Sequence, residues 1–75
     1  MKLLLVHWRD AASFHIGWVS KEDAAKDKCP IGRSVGWELK RDDTELVLVA
    51  SEIDNEISCD IHIPLSTIVS EEVLR

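Results

Sequence analysis

The side chains with most chemistry to offer are three tryptophans, three histidines and two cysteines. His7, His15, His62, Cys29 and Cys59 are the candidate metal ligands. None stands at C-x₂-C, H-x₃-H or H-E-x-x-H spacing, so no metal site is expected. Cys59 alternates with Ile57 and Ile61, which puts it on an apolar strand face as packed core. His62 falls on the polar face of the same segment, where it is solvated. Cys59 with His7 or His62 can be drawn as nucleophile and base, but no third group orients the pair. Asp10 follows a strand, the usual place of a cap or turn residue rather than a base. The size of the chain and the missing motifs point away from an enzyme, and no cofactor is implied.

The tryptophans are more informative. Trp37 suits the centre of a tiny barrel. Trp18 lies between Gly17 and a helix start, where a loop Trp makes a flat platform at low entropy cost. Such a ring can stack on a nucleobase, and a purely structural role stands beside that reading. Donors for a phosphate would come from Arg33, Ser34, Lys40, Ser66 and Thr67. Ser34 and Gly36 alternate onto the face opposite Trp37, and Gly36 admits a ligand or a second backbone at close range. Each has a plain reading too: a bulge for Gly36, a solvated charge for Arg33, a turn residue for Ser66.

The elements that must position these groups are strands. Leu3–Arg9 reads as the first, with Val6 and Trp8 on one face. Residues 10–17 form a loop. Ser20-Lys-Glu-Asp23 fits a capping box for a short surface helix that ends before Cys29-Pro30. From Arg33 to Arg41, Val35, Trp37 and Leu39 share one face, and Ser34, Gly36, Glu38 and Lys40 the other. Asp42-Asp43-Thr44 and Asp54-Asn55-Glu56 are turns. Glu45–Ser51 is apolar on both faces, the pattern of a strand covered on two sides. The 10–31 insertion or a partner chain would supply the second cover. Ile57–Ile63 alternates strictly, Pro64–Thr67 is a 3₁₀ turn, and Ile68–Leu74 is the last strand. The expected fold is all-β with one short helix: a single domain over residues 1–75, a small five-stranded SH3-like barrel with a helix-containing insertion between strands 1 and 2.

Seventy-five residues and 8.5 kDa bound what such a domain can be. A folded chain of this mass exposes roughly 4,700 Å². Burial at ~25 cal/mol/Å² contributes ~115 kcal/mol, against about 110 kcal/mol for ordering the chain. The near-cancellation makes a homo-oligomer attractive. The net charge of −5 comes from nine scattered Lys and Arg against fourteen Asp and Glu. That balance disfavours duplex nucleic acid, which selects a basic face. No apolar run is long enough to span a membrane, and Lys2–Val6 reads as a first strand rather than a leader. Two cysteines make no disulfide framework and are expected to stay reduced in a cytoplasm.

Val6-His-Trp8-Arg-Asp10-Ala11, Gly17-Trp18, Ser34-Val35-Gly36-Trp37, Leu48-Val-Ala50-Ser51 and Ile63-Pro64-Leu-Ser66 occur in that order. The set resembles a group of small bacteriophage proteins with the pattern V-x-W-x-D-A, G-W, S-V-G-W/Y, hydrophobic-A-S and I-P-x-S. Some phage proteins of this kind are similar to the sponges that sequester cyclic nucleotide immune signals, the anti-CBASS group. That resemblance implies a protein of the host cytoplasm that binds a cyclic dinucleotide or oligonucleotide without cleaving it. On this reading Trp8, Trp18 and Trp37 stack on bases and Asp10 reads a base amine. Arg33, Ser34 and Ser51 hold phosphate. The competing expectation is a small acidic phage module that binds and inhibits a host protein, such as a defence enzyme. A virion accessory protein is a third.

Overall fold

The computed structural model describes residues 1–11 and 15–75. The strands are β1 (Leu3–Arg9), β2 (Ile31–Arg41), β3 (Glu45–Ile53), β4 (Glu56–Pro64) and β5 (Ile68–Val73). A helix, α1 (Lys21–Ala24), lies between β1 and β2, and a 3₁₀ turn at Leu65–Thr67 precedes β5. All strands join one antiparallel sheet in the order β4-β3-β2-β1-β5. The sheet is not closed: β4 and β5 are its edges, so the expected barrel is not formed. Closure needs strands that bend back in matching stagger. Here β3 and β4 run on together past the end of the pairing of β3 with β2.

Alternation along β1 puts Leu4 and Val6 into a core completed by Leu46, Leu48 and Ile63, with Trp8, Ile61, Leu65 and Ile68 packed around it. Val47 and Val49, on the opposite face of β3, are equally buried. Among the described residues of the insertion none is packed over them, since every residue from His15 to Ile31 is exposed. In register, Val47 lies between Lys40 and His62, and Val49 between Trp37 and Asp60. Long side chains that keep their polar ends in water can shield apolar neighbours in this way.

A bulge after Glu38 changes the facing of the end of β2. Lys40 pairs with Val47 and Arg41 with Leu46. Lys40 therefore leaves the Ser34–Gly36 face expected for it, and Leu39 is pushed out, half exposed. The turn into β3 is held by Asp42, whose Oδ1 accepts from the backbone N–H of Thr44 (2.8 Å), from the Thr44 hydroxyl (2.8 Å) and from the N–H of Glu45 (2.9 Å). The 3₁₀ turn is tied to that hairpin by Leu65 N–H donating to Thr44 O at 3.0 Å. The helix begins as expected, with Ser20 Oγ accepting from Asp23 N–H at 3.1 Å. It stops at Ala24, well before Cys29. A helix without an apolar face gains nothing from packing, and one this short cannot propagate alone.

Gly36 decides the shape of the sheet. A Cβ at this position would lie 2.9 Å from Leu48 Cβ and 3.1 Å from Val49 O. The close approach expected at Gly36 is thus made by another backbone. Here β2 leaves β3: it pairs with β1 over Ile31–Trp37 and with β3 over Trp37–Arg41. Beyond Val49, β3 and β4 continue as a two-stranded arm, Ala50–Cys59, with every residue exposed. The molecule is 52 Å long and 22 Å wide, with a radius of gyration of 15.8 Å against about 11 Å for a compact chain of this length. Its accessible surface, 5916 Å², exceeds the roughly 4,700 Å² expected of a compact monomer.

Candidate functional site

The candidate residues fall in separate places. Trp8 and Ser34 come together on the core face, where Trp8 Nε1 donates to Ser34 Oγ at 3.0 Å and both are half-buried. The indole lies over Gly32, whose position would bring a Cβ within 3.4 Å of the ring. The pair locks β1 to β2 and commits the Ser34 hydroxyl internally.

Arg33 and Trp37 share the opposite face. Arg33 sits beside His7, whose Nδ1 meets Ser70 Oγ at 3.3 Å, and Trp37 sits between Leu3 and Val49. Trp37 is half-buried and borders a shallow cleft with Met1 and Glu52. Ser51 belongs to the arm, in a depression shared with Ile53 and Ile57. Asp10 stands at the neck of the insertion, its backbone N–H donating to Pro30 O at 3.0 Å. Cys59 is not core: it is exposed, with a φ of 55°, at a step where the β3–β4 ladder is interrupted opposite Ala50. The buried stretch of β4 ends two residues later, at Ile61 and Ile63, and Ile57 is carried away on the arm.

The insertion has a defined construction. Its neck is closed by the Asp10–Pro30 bond, and His15 Nε2 meets Asp27 Oδ2 at 2.6 Å. Between these ties, Gly17 takes a left-handed φ of 91°. On either side of it Ile16 is 106% exposed and Trp18 104%, with Val19 also exposed. Ile16 and Trp18 stand fully in solvent, and Val19 beside them is partly covered; the three are here called the knob. An apolar group on a loop of this kind is what a partner protein buries as an anchor.

Two charge groups were not legible from spacing. Arg41 bonds both Glu71 carboxylate oxygens, Nη1 to Oε2 at 3.1 Å and Nη2 to Oε1, and Nε and Nη2 bond Glu38 Oε1 at 3.1 and 3.0 Å. Bonding to Glu71 above all raises the guanidinium pKa, and Arg41 in turn lowers that of Glu71. The bulge that turns Arg41 onto the core face creates this bridge. On the other face, His62 lies between Asp60 (2.9 Å) and Glu45 (3.2 Å), and Lys40 between Asp42 (3.3 Å) and Glu45 (3.5 Å). Asp60, then Glu45, raise the His62 pKa. The Thr44 N–H, then that of Glu45, hold Asp42 well below the usual carboxylate range.

Among the described residues no cluster of His, Cys, Asp and Glu has the geometry to hold a metal ion. No helix among them is long and apolar enough to cross a membrane. No protein-family model, curated protein or solved structure matches the chain.

Proposed function

We propose that this chain is a non-catalytic binding module that docks on another protein, with the Ile16–Val19 knob as its anchor. The observation that carries this reading is the complete exposure of Trp18 beside Ile16 on a loop stapled at its neck. Burying one such aromatic anchor is worth about 2 kcal/mol or more at the centre of an interface. The resemblance to small phage proteins supplies the setting: an acidic phage protein in the host cytoplasm acting on a host protein. The strand order and the 3₁₀ turn before the last strand support an SH3-like layout in which the barrel is left open.

Capture of a cyclic nucleotide is the second reading. It is favoured by Trp18 and Trp37, both offering ring surface that can stack on a base. Arg33 on the Trp37 face adds a cation.

Affinity capture from host lysate tests the first reading, with wild type and Trp18→Ala run side by side. One protein retained by the wild type and lost by the variant is the expected result. Equal retention by both removes the knob as anchor. Native mass spectrometry with a panel of cyclic di- and trinucleotides tests the second, and a bound nucleotide in place of a retained protein would reverse the order of the two.

A further inference from the structure

The arm leaves two strand edges open inside one chain. Among the described residues, no strand pairs the outer edge of β2 over residues 31–36 or the matching edge of β3 over residues 50–53. These edges belong to strands that pair antiparallel at Trp37–Val49 and then diverge. Unpaired edges carry free N–H and C=O groups and invite another strand. A lone two-stranded ribbon is marginal in water, which argues that something supports this one.

Charge separates the two edges. Between Arg41 and Arg75 the sequence has no Lys or Arg and nine Asp and Glu. The arm carries Glu52, Asp54 and Glu56. Residues 1–41 hold eight Lys and Arg against five Asp and Glu, with Arg33 on the free stretch of β2 and Arg9 beside Ile31. The apolar residues match as well. Val35 and Ile31 on β2 are 60% and 47% exposed, and Ile53 on the arm is 75% exposed. Strand alternation from the Trp37–Val49 pair puts all three on one face of the sheet. An acidic, apolar arm and a basic, apolar edge within the same chain are complementary, but the two strands do not pair beyond Trp37–Val49.

We propose that a second copy of this chain fills the gap. The arm of each copy adds antiparallel to the free edge of β2 in the other, giving a reciprocal two-fold dimer. Ile53 of each arm then lies against Ile31 and Val35 of the opposite copy. Glu56, in register with Ile53, falls on the same face as Arg33. The exchange closes on itself, leaving neither arm free to recruit further copies. The area agrees. The chain exposes roughly 1,200 Å² more than a compact monomer, within the ~1,000–2,500 Å² per partner of an obligate dimer.

This proposal uses a different surface from the knob and stands without the host-protein reading. Sedimentation equilibrium at low and high salt tests it on the full chain. The wild type is expected to be a dimer of 8.5 kDa protomers, weakened by salt. Arg33→Glu and Glu56→Arg should each weaken association roughly tenfold or more by setting like charges together. The double variant should recover it. Ile53→Asp should give monomers, and Trp18→Ala should leave the dimer intact. All four positions are exposed and outside the core, so each variant keeps a cooperative unfolding transition. A monomeric wild type throughout the micromolar range overturns the proposal. So does a dimer that ignores both charge reversals. A dimer that assembles as described while lysate capture retains nothing keeps this proposal and removes the host-protein one.

Discussion

The two halves of β3 differ in everything but their partner strand. Leu46–Val49 is buried on both faces, while Ala50–Ile53 is exposed on both. Both halves pair with β4 at the same offset, with a single gap at Ala50. Only the first half has β2 on its other side, and with β2 come Leu4 and Val6 of β1. A β-ladder alone therefore buries nothing here. Burial comes from the third strand and the side chains it brings, and Gly36 is where that strand departs.

The largest expected effect follows from this contrast. Leu48→Ala removes a core side chain where the packed sheet cannot collapse, at a cost of about 2–5 kcal/mol. Ile53→Ala, a few residues along the same strand, should change the stability of the monomer by less than about 0.5 kcal/mol. Urea unfolding of both variants at high dilution measures the difference. Equal losses would mean that the arm folds with the core, and the comparison would break.

Gly36→Ala comes next. The added methyl would meet Leu48 Cβ and the Val49 backbone, and a backbone has no rotamer by which to yield. The expected loss is about 1–3 kcal/mol. The same unfolding experiment reads it. A neutral result would show that β2 can leave β3 at another residue, so that the arm is not fixed at this length.

How much of this was legible in the sequence depends on what period-2 patterning can carry. Alternation put Val6 and Trp8 together, and Ser34 and Gly36 opposite Trp37, because those segments are regular. It failed at Lys40 and Arg41, where one bulged residue reverses every facing beyond it. It failed at Cys59, since Ile57, Cys59 and Ile61 alternate perfectly while β2 no longer pairs with β3 beyond Val49. Alternation describes one strand and says nothing about where its neighbour ends. The arm, and with it the place of Ser51, was invisible for that reason. Trp18 was singled out as a loop aromatic, but its staples at Asp10–Pro30 and His15–Asp27 join residues too far apart in sequence to be read as pairs. The barrel was expected from element order, which is preserved, whereas closure depends on stagger, which no local pattern records.

A smaller effect sharpens the role of Trp8. Ser34→Ala leaves the indole N–H, half-buried between β1 and β2, without its acceptor. The expected cost is about 1 kcal/mol, the worth of one such bond. Indole fluorescence should change with the acceptor, and any ligand binding that survives Ser34→Ala would exclude its hydroxyl as a phosphate donor.

The smallest effects are electrostatic and belong to the buried end of β3. Asp42 accepts three hydrogen bonds only when the hairpin is folded, so its folded-state pKa lies below the ordinary 3.8. A depressed carboxylate contributes stability that is fully present above the ordinary value and is lost as pH falls through it toward the folded value. Glu71, lowered by Arg41, acts in the same direction. His62 acts in the opposite sense, because Asp60 and Glu45 raise its pKa above 6.5. Its contribution is complete below that value and disappears as pH rises through the raised one. The molecule should therefore be most stable between the carboxylate range and the raised imidazole value. In melting curves taken across pH, Asp42→Asn keeps an acceptor for the turn but has no proton to gain, so the acid limb should flatten. His62→Gln should flatten the alkaline limb and leave the acid one unchanged. If both limbs persist in both variants, the pH dependence comes from groups elsewhere, and the charges around the Glu45–Val47 segment are not what distinguishes the buried half of β3 from its arm.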